Sequence, residues 1–299
     1  MDPSLQSPPF TQLVVKAMRE LYPEELADRA WDNVGLLQEN IDNLSGVPQR
    51  VLLTNDLTLR VVEEAIQKNI SVIVSYHPFI FRGLKSVTLN DPHQRMVLRL
   101  AQHNIAVYSP HTAVDAAPGG VNDWLCTILD KAGVSRVRTV VQPIKSPVPQ
   151  GFEGAGYGRL VQLGAETGLQ RIMQIFAAEL GMKHLMVARP TPKGEGGDSV
   201  RIKSVAICAG SGGDVLKDTD ADLYITGEMS HHVALRLKMM GKCVLTVFHS
   251  NSERGFLRQV LQPQLQERLR KEETAAEVLV SEEDEDPFEI WEAEVPRSA

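Results

Sequence analysis

The chain reads as an α/β protein of two similar halves, each a mostly parallel sheet covered by helices. Three observations predict this. The order strand, helix, strand, helix, strand runs through the sequence twice. Its strands include short unbroken β-branched runs such as Ile70–Ser75, the pattern of a parallel strand buried on both faces. Two segments also rhyme: Tyr108-Ser109-Pro110-His111-Thr112-Ala113-Val114-Asp115 and Val247-Phe248-His249-Ser250-Asn251-Ser252-Glu253 each close an apolar run with a histidine and place a carboxylate four residues later.

Taken in order, Leu13, Val14, Ala17, Met18 and Leu21 recur at helical spacing before a turn at Pro23. Val51–Thr54 is a strand, Val61, Val62, Ala65 and Ile66 mark a helix, and Ile70–Ser75 is the next strand. Asp91-Pro92 supplies a cap and first turn for a helix carrying Met96, Val97, Leu100 and Ala101 inward. Ile105–Tyr108 follows as a strand, and Val121, Trp124, Leu125, Ile128 and Leu129 as a helix. The stretch from Gln142 to Gly158 is rich in Pro and Gly and divides residues 1–141 from a second half at 159–270, with 142–158 as the connection. In that half Leu160–Leu163 is a strand and Leu169, Ile172, Met173, Phe176 and Leu180 form a helix closed by Gly181. His184–Ala188 is a strand and Thr191–Gly197 a polar loop. Val205–Cys208, a short helix at Val215-Leu216, Leu223–Thr226, a helix with Val233, Ala234, Leu237 and Met240, and Val244–Phe248 then repeat the first half's order. Residues 271–299 are an acidic segment whose apolar island Val278-Leu279-Val280 suggests a last strand.

With 299 residues, 43% of them apolar, the chain can bury one large core or two smaller ones. A net charge of -7 without a Lys/Arg-rich run argues against direct binding of nucleic acid. Cys126, Cys208 and Cys243 lie far apart with no C-x-x-C spacing, which disfavours a disulfide framework or a zinc knuckle. No apolar run approaches the ~18 residues that span a bilayer, and the N-terminus has neither a signal-peptide nor an Arg-rich transit pattern. The cytoplasm is the expected compartment, the nucleus the next, and mitochondria stay open.

In parallel sheets ligands gather at the carboxyl ends of the strands, where the polar residues of this chain fall. His77 follows one strand and precedes Pro78, so its ring should emerge at the sheet edge in a rigid extended turn. A lone histidine there is more often a packing residue, and Asp115 or Glu253 alone would be explained by helix capping. Their parallel placement beyond His111 and His249 is harder to assign to capping. Histidine nitrogens and carboxylates without thiolates suit zinc, iron or manganese, one or two ions per chain, with Asp115 and Glu253 as candidate shared ligands. His111 is either a ligand or a residue that orients one. Glu228 and one histidine of His231-His232 are expected near the site, leaving Glu228, His111 and His232 for proton transfer. Gly210-Ser211-Gly212-Gly213-Asp214 fits no nucleotide fingerprint and reads as a tight turn.

Trp31-Asp32-Asn33-Val34-Gly35-Leu36, Ser75-Tyr76-His77-Pro78, His111–Asp115, Gly227–His232 and His249–Gly255 together resemble the Nif-three-like family, whose members are also labelled GTP cyclohydrolase I type 2 homologues. The resemblance runs from about Leu13 to Phe288. It implies a two-halved α/β fold, homo-oligomers that are dimers or trimers of dimers, and a dinuclear site in which His77, Asp115, His249 and Glu253 match ligands. Many bacterial members have His-His-Pro where this chain has Tyr76-His77-Pro78, and a phenol is a poor ligand at its ordinary pKa of about 10. Two functions follow as expectations. One is a metal-dependent hydrolase acting on a small molecule, of cyclohydrolase or phosphoesterase type. The other is a non-catalytic partner of transcriptional co-regulators, a role the resemblance implies for eukaryotic members.

Overall fold

A computed structural model describes residues 6–41, 48–133, 135–145, 147–190 and 200–291. The loop expected over Thr191–Gly197 lies outside them. The first half runs α1 (Pro9–Leu21), β1 (Gly35–Gln38), β2 (Arg50–Thr54), α2 (Leu59–Gln67), β3 (Val72–Ser75), α3 (Pro92–Gln102), β4 (Ala106–Ser109), α4 (Thr112–Ala116) and α5 (Val121–Asp130). Thr58 caps α2 by accepting from the Val61 amide, and Asp91 caps α3 by accepting from that of Gln94 at 3.0 Å, with Pro92 in the first turn.

The second half runs β5 (Ser135–Pro143), β6 (Gly156–Gly168), α6 (Leu169–Glu179), β7 (Met186–Ala188), β8 (Arg201–Cys208), α7 (Gly213–Leu216), β9 (Leu223–Thr226), α8 (His231–Met239) and β10 (Cys243–Thr246). After it come α9 (Arg254–Phe256), a wider π turn (Leu257–Leu261), α10 (Gln262–Arg270) and β11 (Glu277–Val280).

The strands form two sheets, ordered β1-β4-β3-β2-β11 and β5-β6-β8-β9-β10-β7. In the first, β4, β3, β2 and β11 are parallel and β1 is an antiparallel edge. In the second, β8, β9 and β10 are the parallel centre, flanked by antiparallel β6 with β5 and by β7. The strand memberships depart from linear division at two places. Residues 135–143, mostly assigned by sequence to the first half, hairpin with β6 in the second sheet, and the acidic segment returns β11 to the first sheet beside β2. Both depend on pairing between residues distant in sequence, which local composition does not encode.

A large buried cluster, including Val51, Val74, Trp124, Phe176, Val205, Leu245 and Phe256, fills the space between the sheets. Helices α2 and α3 cover the outer face of the first sheet through Val62 and Leu100 against Leu52 and Ile73. Helices α7 and α8 cover the second through Leu216 and Leu237 against Tyr224 and Val244. Arg159 of β6 fastens the halves: its Nε and Nη2 each donate to Asp123 of α5 at 2.8 Å, and its remaining N–H groups reach the Gly156, Gly158 and Ala117 carbonyls. The carboxyl ends of the parallel strands from both sheets therefore meet across one cavity.

Candidate metal centre

Two structural offsets build the site. Thr54 and Ser75 are paired across β2 and β3, so Asp56 and His77, each two residues further on, lie side by side. His77 Nδ1 is 2.9 Å from Asp56 Oδ1. In the second half, Thr226 ends β9 and Thr246 ends the neighbouring β10, which places Glu228 beside His249; Glu228 Oε1 is 2.9 Å from His249 Nδ1 and accepts from the Ser211 hydroxyl at 2.5 Å. The third histidine repeats the arrangement, with His111 Nδ1 2.7 Å from Asp32 Oδ1. A carboxylate on Nδ1 fixes each ring and leaves Nε2 free for the cavity, the pairing that orients metal-binding imidazoles.

Those free nitrogens converge. His77 Nε2 and His249 Nε2 each lie 3.5 Å from a different oxygen of Glu253, and ligand atoms of the three residues all fall within 4.8 Å of one another. The His77 ring centre is 5.2 Å from that of His249 and 5.2 Å from that of His111. Glu253 is 2% exposed, and its Oε2 also accepts from Asn55 Nδ2 at 3.1 Å. Burial, and then the Asp115 carboxylate nearby, push the Glu253 carboxyl well above its usual range. Burial raises Asp115 as well. Two desolvated carboxyls facing imidazole nitrogens form a donor set that a cation would complete, so the residues present fit a divalent ion.

Backbone strain marks the same place. His111 has φ of +32° and Phe248, just before His249, has φ of +62°, conformations that bulky residues adopt only where their surroundings hold them. Gly210 has φ of +59°, and a Cβ there would stand 2.7 Å from Glu253 Oε1 and 3.1 Å from His249 Nε2. Two amides of the Gly210–Asp214 turn are already used, Gly210 N–H by Ser252 Oγ and Gly212 N–H by Thr226 Oγ1, so the turn serves packing around the cluster.

His77, His111, Asp115, His249 and Glu253 line one cavity of about 600 Å³. Asp115 stands slightly apart from the closest cluster, its Oδ1 taken by the Tyr76 hydroxyl. Burial, reinforced by Asp115, pushes the Tyr76 phenol well above its usual pKa, so this residue is a neutral donor to Asp115. Glu228 lies beside His249 at the rim and does not itself line the cavity. His232 is exposed at the start of α8, its ring 5.4 Å from that of His231, and it too is absent from the cavity lining. Nothing in the local sequence pattern assigns a role to Asp32 or Asp56. Burial alone would raise both carboxyls, but the hydrogen bonds and charge of His111 and His77 respectively outweigh it and hold them below the usual range. Nor does that pattern signal that the acidic segment braces the site. Asp284, whose side chain is 2% exposed, accepts from the Asn55 backbone amide at 2.7 Å, and Asn55 in turn holds Glu253.

Residues 11–287 match the model of the family described as Duf34/NIF3 (NGG1p interacting factor 3). The chain is 45% identical over 274 residues to the protein NIF3 homolog of Schizosaccharomyces pombe, covering 91% of this chain and 95% of that one. It is 38% identical over 285 residues to the NGG1-interacting factor 3 of Saccharomyces cerevisiae, covering 93% and 96%. In three dimensions it superposes on the crystal structure of a Bacillus cereus protein related to NIF3 with a TM-score of 0.76 at 22% identity, covering 94% of this chain and 98% of that one, which establishes the shared fold.

Proposed function

The chain belongs to the Duf34/NIF3 family, and from that premise we propose that it is a metal-dependent hydrolase-like protein holding one or two divalent ions, zinc, iron or manganese, at the meeting of its two halves. The observation that carries this reading is the convergence of His77, His249 and buried Glu253 within 4.8 Å, with Asp115 on the same cavity wall. His77, His249 and Glu253 would hold one ion, and Asp115 with His111 would complete a second position. Such ions supply an acidified water and a clamp for developing oxyanion charge. The protein's own contribution is orientation and proton handling. Asp56 and Glu228 fix the His77 and His249 rings, and where only the first position is filled the Asp32-bound His111 on the cavity wall is the group that would accept or return a proton at the electrophile, with Glu228 acting through His249. The chemistry supported is hydrolysis at an electrophilic carbon or phosphorus of a small molecule, as in a cyclohydrolase or phosphoesterase.

A second reading is favoured by the name of the yeast relative, an NGG1-interacting factor: a non-catalytic partner of transcriptional co-regulators, acting in the nucleus as well as the cytoplasm. Homo-oligomers, dimers or trimers of dimers, fit either reading. The test is elemental analysis of untagged protein purified without added metal, beside Glu253→Gln. Metal in the wild type and its loss from a folded variant are expected, because an amide cannot supply the charge that two imidazoles and a cation require. A folded wild type that stays empty after reconstitution with zinc, iron and manganese would end the hydrolase reading and leave the partner protein.

A further inference from the structure

The segment Trp31-Asp32-Asn33 does three things at once. Asp32 orients His111. Asn33 Nδ2 donates to the Ile80 carbonyl at 2.5 Å and so ties the chain beside Phe81 to this segment. Trp31 is held by its Nε1–H, which donates to Asp28 Oδ2 at 2.9 Å, while the indole stays 52% exposed. Trp31 and Phe81 lie 5.9 Å apart at 46° to one another, and the Trp31 ring meets His111 edge-on at 5.7 Å. Both rings line the cavity that contains His77, His249 and Glu253. A fixed indole and a phenyl ring left half open to solvent, directly beside the histidines, are a costly surface unless something planar covers them.

The charge of the cavity narrows what that is. Its lining includes the carboxylates of Asp28, Asp115, Asp214 and Glu253, and no Lys or Arg among the described residues. In the metal-free protein a phosphate would meet no cation of the chain there and would stand beside acidic side chains. A neutral or cationic ring meets only favourable partners, since cations and ring edges are drawn to aromatic faces and carboxylates alike.

We propose that Trp31 and Phe81 form a stacking wall that presents a neutral or cationic planar heteroaromatic ring to the metal centre, and that the protein recognises the ring and not a phosphate chain. The proposal deepens the hydrolase reading and rests on it for the reaction, though binding of the ring is measurable without any turnover. The cavity, about 600 Å³, is within the range that buries a ligand of this size.

The test uses the full chain with 2-aminopurine riboside, whose fluorescence falls when its base stacks, against the 5'-triphosphate of the same nucleoside. Saturable quenching of the riboside is expected, weakened about tenfold by Trp31→Ala and by Phe81→Ala and largely kept by Trp31→Phe. Absence of saturable quenching in the wild type, or wild-type affinity in both alanine variants, would overturn the proposal. So would a triphosphate that binds metal-free protein ten times more tightly than the riboside, or alanine variants that change only the oligomeric state. Metal is counted in the same samples. Riboside binding in a protein that takes up no metal would remove the hydrolase reading and keep this one; metal uptake without riboside binding would do the reverse.

Discussion

The Asp123–Arg159 pair offers the sharpest perturbation of the joint that brings the two halves of the site together. Arg159 side-chain exposure is 4% and that of Asp123 is 22%, so the guanidinium is the buried partner. Asp123 Oδ1 accepts from Arg159 Nε, and Oδ2 accepts from both Arg159 Nη2 and the Gly119 amide at 2.9 Å. In Asp123→Asn one of those oxygens becomes an NH2 group that faces an N–H donor whichever way the amide is turned. A charge-assisted bond is worth about 1.5–3 kcal/mol, and removing one partner of a fully buried ion pair costs about 3–5 kcal/mol. Water can reach the partly open Asp123 side, so the expected loss is smaller, about 2–3 kcal/mol at pH 7.

The pH dependence supplies a second, independent check. Burial would raise the Asp123 carboxyl, but the hydrogen bond and charge of Arg159 outweigh it and hold it below its ordinary value. The native state therefore binds fewer protons than the unfolded chain. The stabilisation is fully present above the unfolded pKa of about 3.9 and is lost as pH falls through the lower folded value. Urea unfolding followed by circular dichroism, for wild type and Asp123→Asn from pH 7 to the lowest pH at which both fold, reads both quantities. The gap between the proteins should narrow on acidification. A gap under about 0.5 kcal/mol at pH 7, or one that stays constant with pH, would refute the assignment of Arg159 and Asp123 as the joint's charged fastening.

Glu228→Ala leaves His249 Nδ1 without its carboxylate, and metal affinity measured by competition with a chelator should fall about 10–100-fold while the thermal transition stays put, because Glu228 is exposed; unchanged affinity would reduce Glu228 to a surface acid. Tyr76→Phe removes the donor to Asp115 and should cost about 1–2 kcal/mol in urea unfolding with metal content retained; loss of one equivalent by elemental analysis would instead make the phenol oxygen a ligand.

What the sequence disclosed and what it withheld divide along the same physical line. Strands β3, β4, β9 and β10, with Val51–Thr54 of β2 and Val205–Cys208 of β8, are short, mostly apolar and buried beside parallel neighbours, so their own composition announces them. Strand β5 mixes charged and β-branched residues and ends at Pro143, and only its register against β6 makes it a strand of the second sheet. The site follows suit. His77, His249 and Glu253 were legible because a histidine at a strand end, or a histidine followed four residues on by an acid, is a local pattern. Asp56 and Asp32 carry no such spacing, and each acts on a histidine 21 or 79 residues away. Asp56 was nevertheless within reach. Parallel strands in a βαβ unit bring equal offsets from their ends together, so the acid two residues past β2 had to neighbour the histidine two residues past β3 once Thr54 and Ser75 were taken as paired. No comparable rule reaches Asp284. It approaches Asn55 from 229 residues away, because β11 returns beside β2 and carries the acidic segment over the carboxyl edge of the first sheet. A segment whose composition suggests a solvated tail thereby holds the residue that holds Glu253, and the cluster of His77, His249 and Glu253 depends on a strand pairing at the far end of the chain.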